Sequence, residues 1–559
     1  MAKVVKKKKR GIGTLTSSTS AGDISPLRPV FVERMPPCAW RCPNHNAVRE
    51  MLMTISRAKE NEKSYEQAFE DAFHIFLETT PFPSVCGRVC PHPCEGECNR
   101  KEKDGAVSVN RVERFIGDFG IEKGLKPRKL TEEKRSERIA VVGSGPGGMS
   151  AAYQLARRGY PVTVFEAFPK PGGMLRYGIP DYRLPQDILD AEINRIVEMG
   201  VELRLNTAVG HDISLDDLRK EYKAIFVAIG AHKGIQLRVD GEDSPNVFTG
   251  TDFLHRVNVG EKVEIGDKVV VIGGGDTAID AARVSRRLGA DVTIVYRRTR
   301  TEMPAIDEEV DAAQAEGVAI EFLAAPVEIH KTNGTASGMK CQRMELGEPD
   351  SSGRRRPVPI NGQTFDLEFT SLIAAVSQAP DFSGFDSLIE GNSWIKIDER
   401  FATQVEGVYA GGDDTNLGLV VDAIAHGKAA ALAIHEMITG DAMPPILPQM
   451  EVIRFDKLHP GYYKEKKRGQ VEEMPVVERL QSMVAEVVGT ATPEDAIEEA
   501  MRCMSCGMCF ECGTCWSYCQ ENAVIKPLVK GEPYKFKMSF CRGCSKCADA
   551  CPCGYIEMK

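Results

Sequence analysis

RIAVVGSGPGGMSAAYQLARRGYPVTVFE, residues 138–166, decides the architecture. A strand from Arg138 to Val142 enters a turn carrying Gly143, Gly145, Pro146 and Gly148; a helical stretch passes through Leu155, and a second strand ends on Glu166. Glycines at that spacing permit a tight turn and let backbone approach a pyrophosphate, which sits on the unpaired N–H groups of the helix N-terminus. Glu166 is placed to accept from a ribose hydroxyl. Strand, turn, helix, strand and terminal acid together define a dinucleotide-binding unit rather than a merely tight turn.

The pattern occurs again in KVVVIGGGDTAIDAARVSRRLGADVTIVYRRTRTEMPA, residues 268–305, with Gly273, Gly275 and Ala278 in the turn. Its second strand ends on Arg297 and Arg298 instead of an acid. An acid repels a 2′-phosphate and guanidiniums bind one, so NADP(H) is favoured over NAD(H); the alternative is that either arginine faces solvent or an ion pair. A third stretch, GVYAGGDDTNLGLVVDAIAHGKAAALAI (407–434), ends a strand at Gly411, Gly412 and Asp413 and starts a helix near Leu419. Asp413 suits a flavin ribityl chain, and the helix N-terminus suits flavin or phosphate. FAD is therefore expected in the first unit and nicotinamide in the second. Because the third stretch follows the second unit, the FAD fold is split and the NAD(P) domain inserted. The fold class is α/β: two Rossmann-like domains, with a helical iron–sulfur domain before them and a small α+β ferredoxin-like domain after them.

Cysteine placement gives those flanking domains. Of 18 cysteines, six lie between Cys38 and Cys98 and eleven between Cys503 and Cys553, while Cys341 alone stands in the middle and reads as a buried thiol. Short gaps in a chain without an apolar signal core point to metal ligands in the cytoplasm rather than disulfides. No apolar run reaches the ~20 residues of a membrane span. A net charge of −9 argues against a nucleic-acid partner, and the basic start MAKVVKKKKR reads as a solvated tail or a docking arm for an acidic partner. The expected domains are a tail (1–35), an iron–sulfur domain (36–130), FAD-binding segments (131–250 and 379–440) around an NAD(P) domain (251–378), a linker (441–495) and a two-cluster ferredoxin (496–559).

Near the end, Cys541, Cys544, Cys547 and Cys551 before Pro552 have the bacterial ferredoxin gaps. In two-cluster ferredoxins the fourth cysteine of each run serves the other cluster. The partner run is Cys509, Cys512, Cys515 and Cys519, because the register starting at Cys506 puts Trp516 in the fourth position. One 4Fe-4S cluster is then expected on Cys509, Cys512, Cys515 and Cys551, and the other on Cys541, Cys544, Cys547 and Cys519. Cys503, Cys506 and Cys553 have no part in this scheme.

GSGPGG, GGMLRYGIPDYRLP (172–185), GGGDTAIDAAR, YRRTRTEMPA and AGGD, taken together, resemble the small subunit of glutamate synthase and its relatives. These include the flavoprotein half of dihydropyrimidine dehydrogenase and the large subunit of NADH-dependent ferredoxin:NADP oxidoreductase. The resemblance covers about residues 36–435. It implies FAD at Gly143, Gly145, Gly148, Glu166, Gly173, Arg183, Gly412 and Asp413, and a nicotinamide nucleotide at Gly273, Gly275, Ala278, Arg297 and Arg298. It also implies an N-terminal 4Fe-4S cluster on Cys42, Cys90, Cys94 and Glu113. A second cluster keeps Cys38 and Cys98 but lacks two upstream cysteines, so one or two N-terminal clusters are expected; Cys86 falls outside the usual pattern, and zinc is the non-redox alternative.

A nicotinamide exchanges two electrons together, clusters pass them singly, and a flavin does both. The parts describe an NAD(P)H:acceptor oxidoreductase with no acid–base catalytic group, in which His232 is structural. The extension beginning MEVIRFDKLHPGYY (450–463) and the RCMSCGMCFEC run resemble the iron–sulfur flavoprotein that accompanies dissimilatory sulfite reductase, which implies that enzyme as redox partner. A glutamate synthase-like electron-donating subunit and a non-turnover electron-transfer scaffold are the alternatives, and a homodimer is a further candidate assembly.

Overall fold

The computed structural model describes residues 23–391, 394–442 and 450–559, so the basic run 1–10 lies outside the described residues. Two compact units result: one from residues 38–449 and 467–503, the other from the chain up to Pro37 with 450–466 and 504–559.

In the larger unit a five-stranded parallel sheet runs Val408–Ala410, Ala224–Val227, Ile139–Val142, Val162–Phe165, Glu202–Arg204. The first of these strands comes from far along the chain, so the domain is split around an insertion. A second parallel sheet fills that insertion, in the order Ala319–Phe322, Asp291–Tyr296, Lys268–Ile272, Ser371–Ala374, Val247–Thr249. Its last strand begins before residue 251, ahead of the boundary read from sequence. The central strands are covered on both faces, which is why they read as unbroken apolar runs.

Helix Pro146–Arg157 leaves the first glycine turn and packs along helix Val420–Thr439. The contact is close because a Cβ on Gly427 would overlap the Gly147 carbonyl. An antiparallel excursion, Ala324–Thr332, Thr335–Pro349 and Arg355–Glu368, interrupts the second domain. Cys341 is buried within it.

The N-terminal helices Val48–Ser56, Tyr65–Leu77, Pro83–Val89 and Val109–Glu122 form the iron–sulfur part. Pro83–Val89 docks on the first sheet's domain through Phe82, Val85, Cys86 and Val89. Its first amides, those of Ser84 and Val85, each donate to the Glu192 carboxylate at 3.0 Å. A buried carboxylate thus caps a helix start and ties the two parts together.

Residues 467–503 differ from the linker read at 441–495, because they pack as part of this unit. Arg114 donates to the Val488 carbonyl at 2.8 Å, Arg88 pairs with Glu486 at 2.7 Å, and helix Pro493–Ala500 joins the core of Val48–Ser56 and Val109–Glu122.

The smaller unit likewise departs from a tail ending at 35. Pro29–Phe31 pairs antiparallel with Ile556–Met558, and Phe31 stacks on Phe536 and Tyr555 at 4.6 and 5.3 Å. Arg34, 3% exposed, pairs with Glu451 and Glu557. Local sequence carries no mark of such a strand, because its partner and its apolar cover lie at the other end of the chain.

Candidate functional site

One cavity of about 700 Å³ opens along the carboxyl ends of the first sheet. Gly143, Gly145, Pro146, Glu166, Gly173, Arg183, Gly412 and Asp413 all line it. Gly148 does not: it sits beneath the turn, where a Cβ would overlap the Gly143 carbonyl, so its role is to let helix and strand close. A Cβ on Gly145 would instead meet only Gly173 Cα, at 3.9 Å, and would otherwise project into the cavity. The cradle is thus open where a dinucleotide backbone has to lie. Glu166 accepts from the Ser144 and Phe168 amides at 3.0 and 2.9 Å, which fixes its carboxylate at the edge of the cavity. Gly418 N–H donates to Asp413 at 3.0 Å, and burial pushes the Asp413 carboxyl up to about 6. His232 also lines the cavity, held neutral by burial, which lowers it to about 4.

The same cavity reaches Asp276, Thr277 and Asp280 at the start of helix Asp276–Arg287 in the second domain. Arg183 lies here and is buried against two carboxylates, Asp280 at 2.7 Å and Glu309 at 3.3 Å. Asp280 escaped sequence reading, although it stands in GGGDTAID on the helix face next to the turn. Gly273 and Ala278 pack inside the turn; Gly275 is open, with Pro304 Cγ alone within 4 Å of an added Cβ, at 3.9 Å. The two arginines part company. Arg298 is buried, with Nε donating to the Arg355 carbonyl and a guanidinium nitrogen 2.7 Å from Asp350, whereas Arg297 is exposed at the end of strand Asp291–Tyr296. Between them, only Arg297 is available to a phosphate.

A second constellation lies in the helical part. Glu113 on Val109–Glu122 is buried, and its Oε1 has no hydrogen-bond partner. Burial drives its carboxyl well up, and the carboxyls of Glu192 and Glu95 act in the same direction. Cys42, Cys86, Cys90 and Cys94 all interact electrostatically with Glu113. The helix crossing explains how they meet: a Cβ on Gly87 would collide with Arg114 Cα, and one on Gly117 with Ser84 N, so glycine alone lets Pro83–Val89 and Val109–Glu122 touch. An orphaned carboxylate oxygen among thiols fits a 4Fe-4S cluster with mixed thiolate and carboxylate ligation. Lys428 Nζ donates to the Asn44 carbonyl at 2.6 Å, putting a cation near Cys42. Cys86 faces the apolar core shared with the flavin domain. Among the described residues no three His, Cys, Asp or Glu side chains converge tightly enough for a single metal ion. A cubane, whose ligands grip separate irons, takes a wider set.

In the smaller unit the eight thiols of the two ferredoxin runs divide between two small cavities. Cys509, Cys512, Cys515 and Cys551 line one; Cys519, Cys541, Cys544 and Cys547 line the other. Cys553 also lines the first, with its Sγ 3.8 Å from Cys551 Sγ. Its place was not legible from spacing, since it falls after the run's terminal Cys-Pro.

These sites define an iron–sulfur flavoprotein oxidoreductase that uses a pyridine nucleotide. Residues 137–427 match the pyridine nucleotide-disulphide oxidoreductase family, and the chain belongs to it. Residues 32–125 match dihydropyrimidine dehydrogenase domain II, 4Fe-4S cluster. The chain is similar to the NADP(+)-dependent formate dehydrogenase subunit beta of Moorella thermoacetica, 37% identical over 89% of this chain and 73% of that one. It is also similar to the NADPH-Fe(3+) oxidoreductase subunit beta of Geobacter sulfurreducens, 36% identical over 84% and 75%. The Escherichia coli glutamate synthase [NADPH] small chain is 35% identical over 71% and 87%.

Proposed function

We propose that the protein moves electrons between NADP(H) and a separate redox protein, with dissimilatory sulfite reductase as the partner that the C-terminal extension suggests. The observation that carries the reading is the cavity lined by residues of both nucleotide domains, Gly145 and Asp413 from the first and Asp276 and Thr277 from the second, which supports a nicotinamide meeting a flavin there. When bound, FAD exchanges two electrons with the nicotinamide and single electrons with 4Fe-4S clusters. The chain's residues hold and orient: the Pro146–Arg157 amides take the pyrophosphate, Glu166 takes a ribose, and Asp413 takes the ribityl chain. Arg297 supports the 2′-phosphate preference, as do the names of the relatives.

A protein partner is supported by the large apolar side chains that residues 516–540 leave exposed, among them Trp516, Tyr518, Leu528 and Phe540. We place the protein in the cytoplasm, where its 18 cysteines persist reduced. Among the described residues no helix is long and apolar enough to cross a membrane. The relatives named beta subunits cover 84–89% of this chain against 71% for the glutamate synthase small chain, which favours a role outside glutamate synthesis.

The test is anaerobic oxidation of NADPH and NADH with a viologen acceptor, then with sulfite reductase. Preference for NADPH and acceleration by sulfite reductase are expected. Dye reduction without that acceleration removes this partner and keeps the class of reaction.

A further inference from the structure

Cys38 and Cys98 are left over once Cys42, Cys90, Cys94 and Glu113 are assigned to one cluster, and two thiols are too few to hold another. Both pack against the core formed by helices Val48–Ser56, Val109–Glu122 and Pro493–Ala500, and Cys503 packs against the same core. Chain distance hides this neighbourhood, because some four hundred residues separate Cys98 from Cys503.

Two buried arginines fix it. Arg502, 1% exposed, donates to the carbonyls of Ala106 and Gly105 at 2.8 and 2.7 Å and pairs with Glu499 at 2.5 Å. Arg100, 2% exposed, returns a bond to the Arg502 carbonyl at 3.1 Å and pairs with Asp104 at 2.5 Å. The backbone immediately before Cys503 is therefore clamped to the loop that follows Cys98. Glu499 also accepts from the Ser108 amide at 2.7 Å, which anchors the end of Pro493–Ala500 at the same place. Cys38 interacts electrostatically with Cys94, four residues before Cys98.

We propose that Cys503 joins Cys38 and Cys98 as a thiolate ligand of a second 4Fe-4S cluster in the larger unit, replacing a ligand that the segment before Cys38 does not supply. Three irons take these thiolates and the fourth takes a further donor, whichever nucleotide or partner the protein uses.

The experiment uses the full chain purified anaerobically, with iron and sulfide counts and the low-temperature EPR spectrum of the reduced protein. Cys503→Ser is expected to lose about four irons per chain and one set of EPR features while keeping its flavin. Cys38→Ser should lose the same features, and the double variant no more than either single one. A Cys503→Ser protein with the full iron count and spectrum overturns the proposal, as does additive loss in the double variant. Thiol labelling of the wild-type protein covers the case in which a variant fails to fold. Cys503 should resist iodoacetamide until a chelator strips the iron, then react together with Cys38 and Cys98; labelling in the iron-replete protein also overturns it.

Discussion

Arg183 and Asp280 form a buried ion pair at 2.7 Å that joins the flavin-side segment 172–185 to helix Asp276–Arg287 of the inserted domain. Because both charges are out of water, removing one leaves the other uncompensated, at about 3–5 kcal/mol. Asp280→Ala is expected near the lower end, since Glu309 remains 3.3 Å from Arg183. Thermal unfolding should show the loss, and Arg183→Leu/Asp280→Leu should recover part of it.

The glycines of the first turn separate folding from cofactor binding. Gly145→Ala has room in the protein and an ordinary φ of −68°, so the flavin-free form should melt normally yet lose FAD from the open cradle. Gly143→Ala, at φ +99° and against the Ala228 carbonyl, should fail to accumulate as folded protein. Flavin absorbance and melting curves of the two variants check the contrast.

Arg297 and Arg298 should likewise diverge. Arg297→Ala is expected to raise KM for NADPH by roughly tenfold, as loss of one charge-assisted contact of ~1.5 kcal/mol implies, with KM for NADH unchanged. Arg298→Ala should instead lower stability, because it removes a buried side chain together with its bonds to Asp350 and the Arg355 carbonyl.

Asp413 makes the flavin-free protein sensitive to pH. Its folded value of about 6, raised by burial, lies above the ~3.9 of a free aspartate. The folded state therefore holds the proton more tightly. That stability is fully present below about pH 4 and is lost as pH rises through about 6, on the order of 2 kcal/mol. Urea unfolding of the apoprotein at pH 5 and 7 should show a larger drop for wild type than for Asp413→Asn.

Gly117→Ala tests the helix crossing that brings Glu113 to the thiols. An added methyl against Ser84 N forces the two helices apart at about 1–3 kcal/mol. The measurable result is loss of about four irons with retention of flavin.

What the sequence revealed follows from how local each signal is. The glycine turns, the terminal Glu166 and the ferredoxin gaps are contiguous, and spacing alone exposes them. The antiparallel excursion had a signal that went unread: Asn333-Gly334, both at positive φ (53° and 83°), is the tight hairpin turn between its first two strands. Glu113 was legible only through resemblance, since a glutamate on a helix looks solvated until the crossing at Gly87 and Gly117 buries it. The pairing of Arg298 with Asp350 depended on that unread excursion. Cys503 and strand Pro29–Phe31 were illegible because their neighbours are hundreds of residues away.

That strand also sets a clock. Phe31 pairs with Ile556, so more than five hundred residues are made before its partner exists. At ~5–20 residues per second this is roughly half a minute or longer on the ribosome. Throughout that interval an apolar edge stands open, and the thiols that Phe31 helps to enclose have not been made. Iron loading of this module thereby waits until residues 556–558 have been made, whereas the flavin fold can close as soon as residue 439 has emerged.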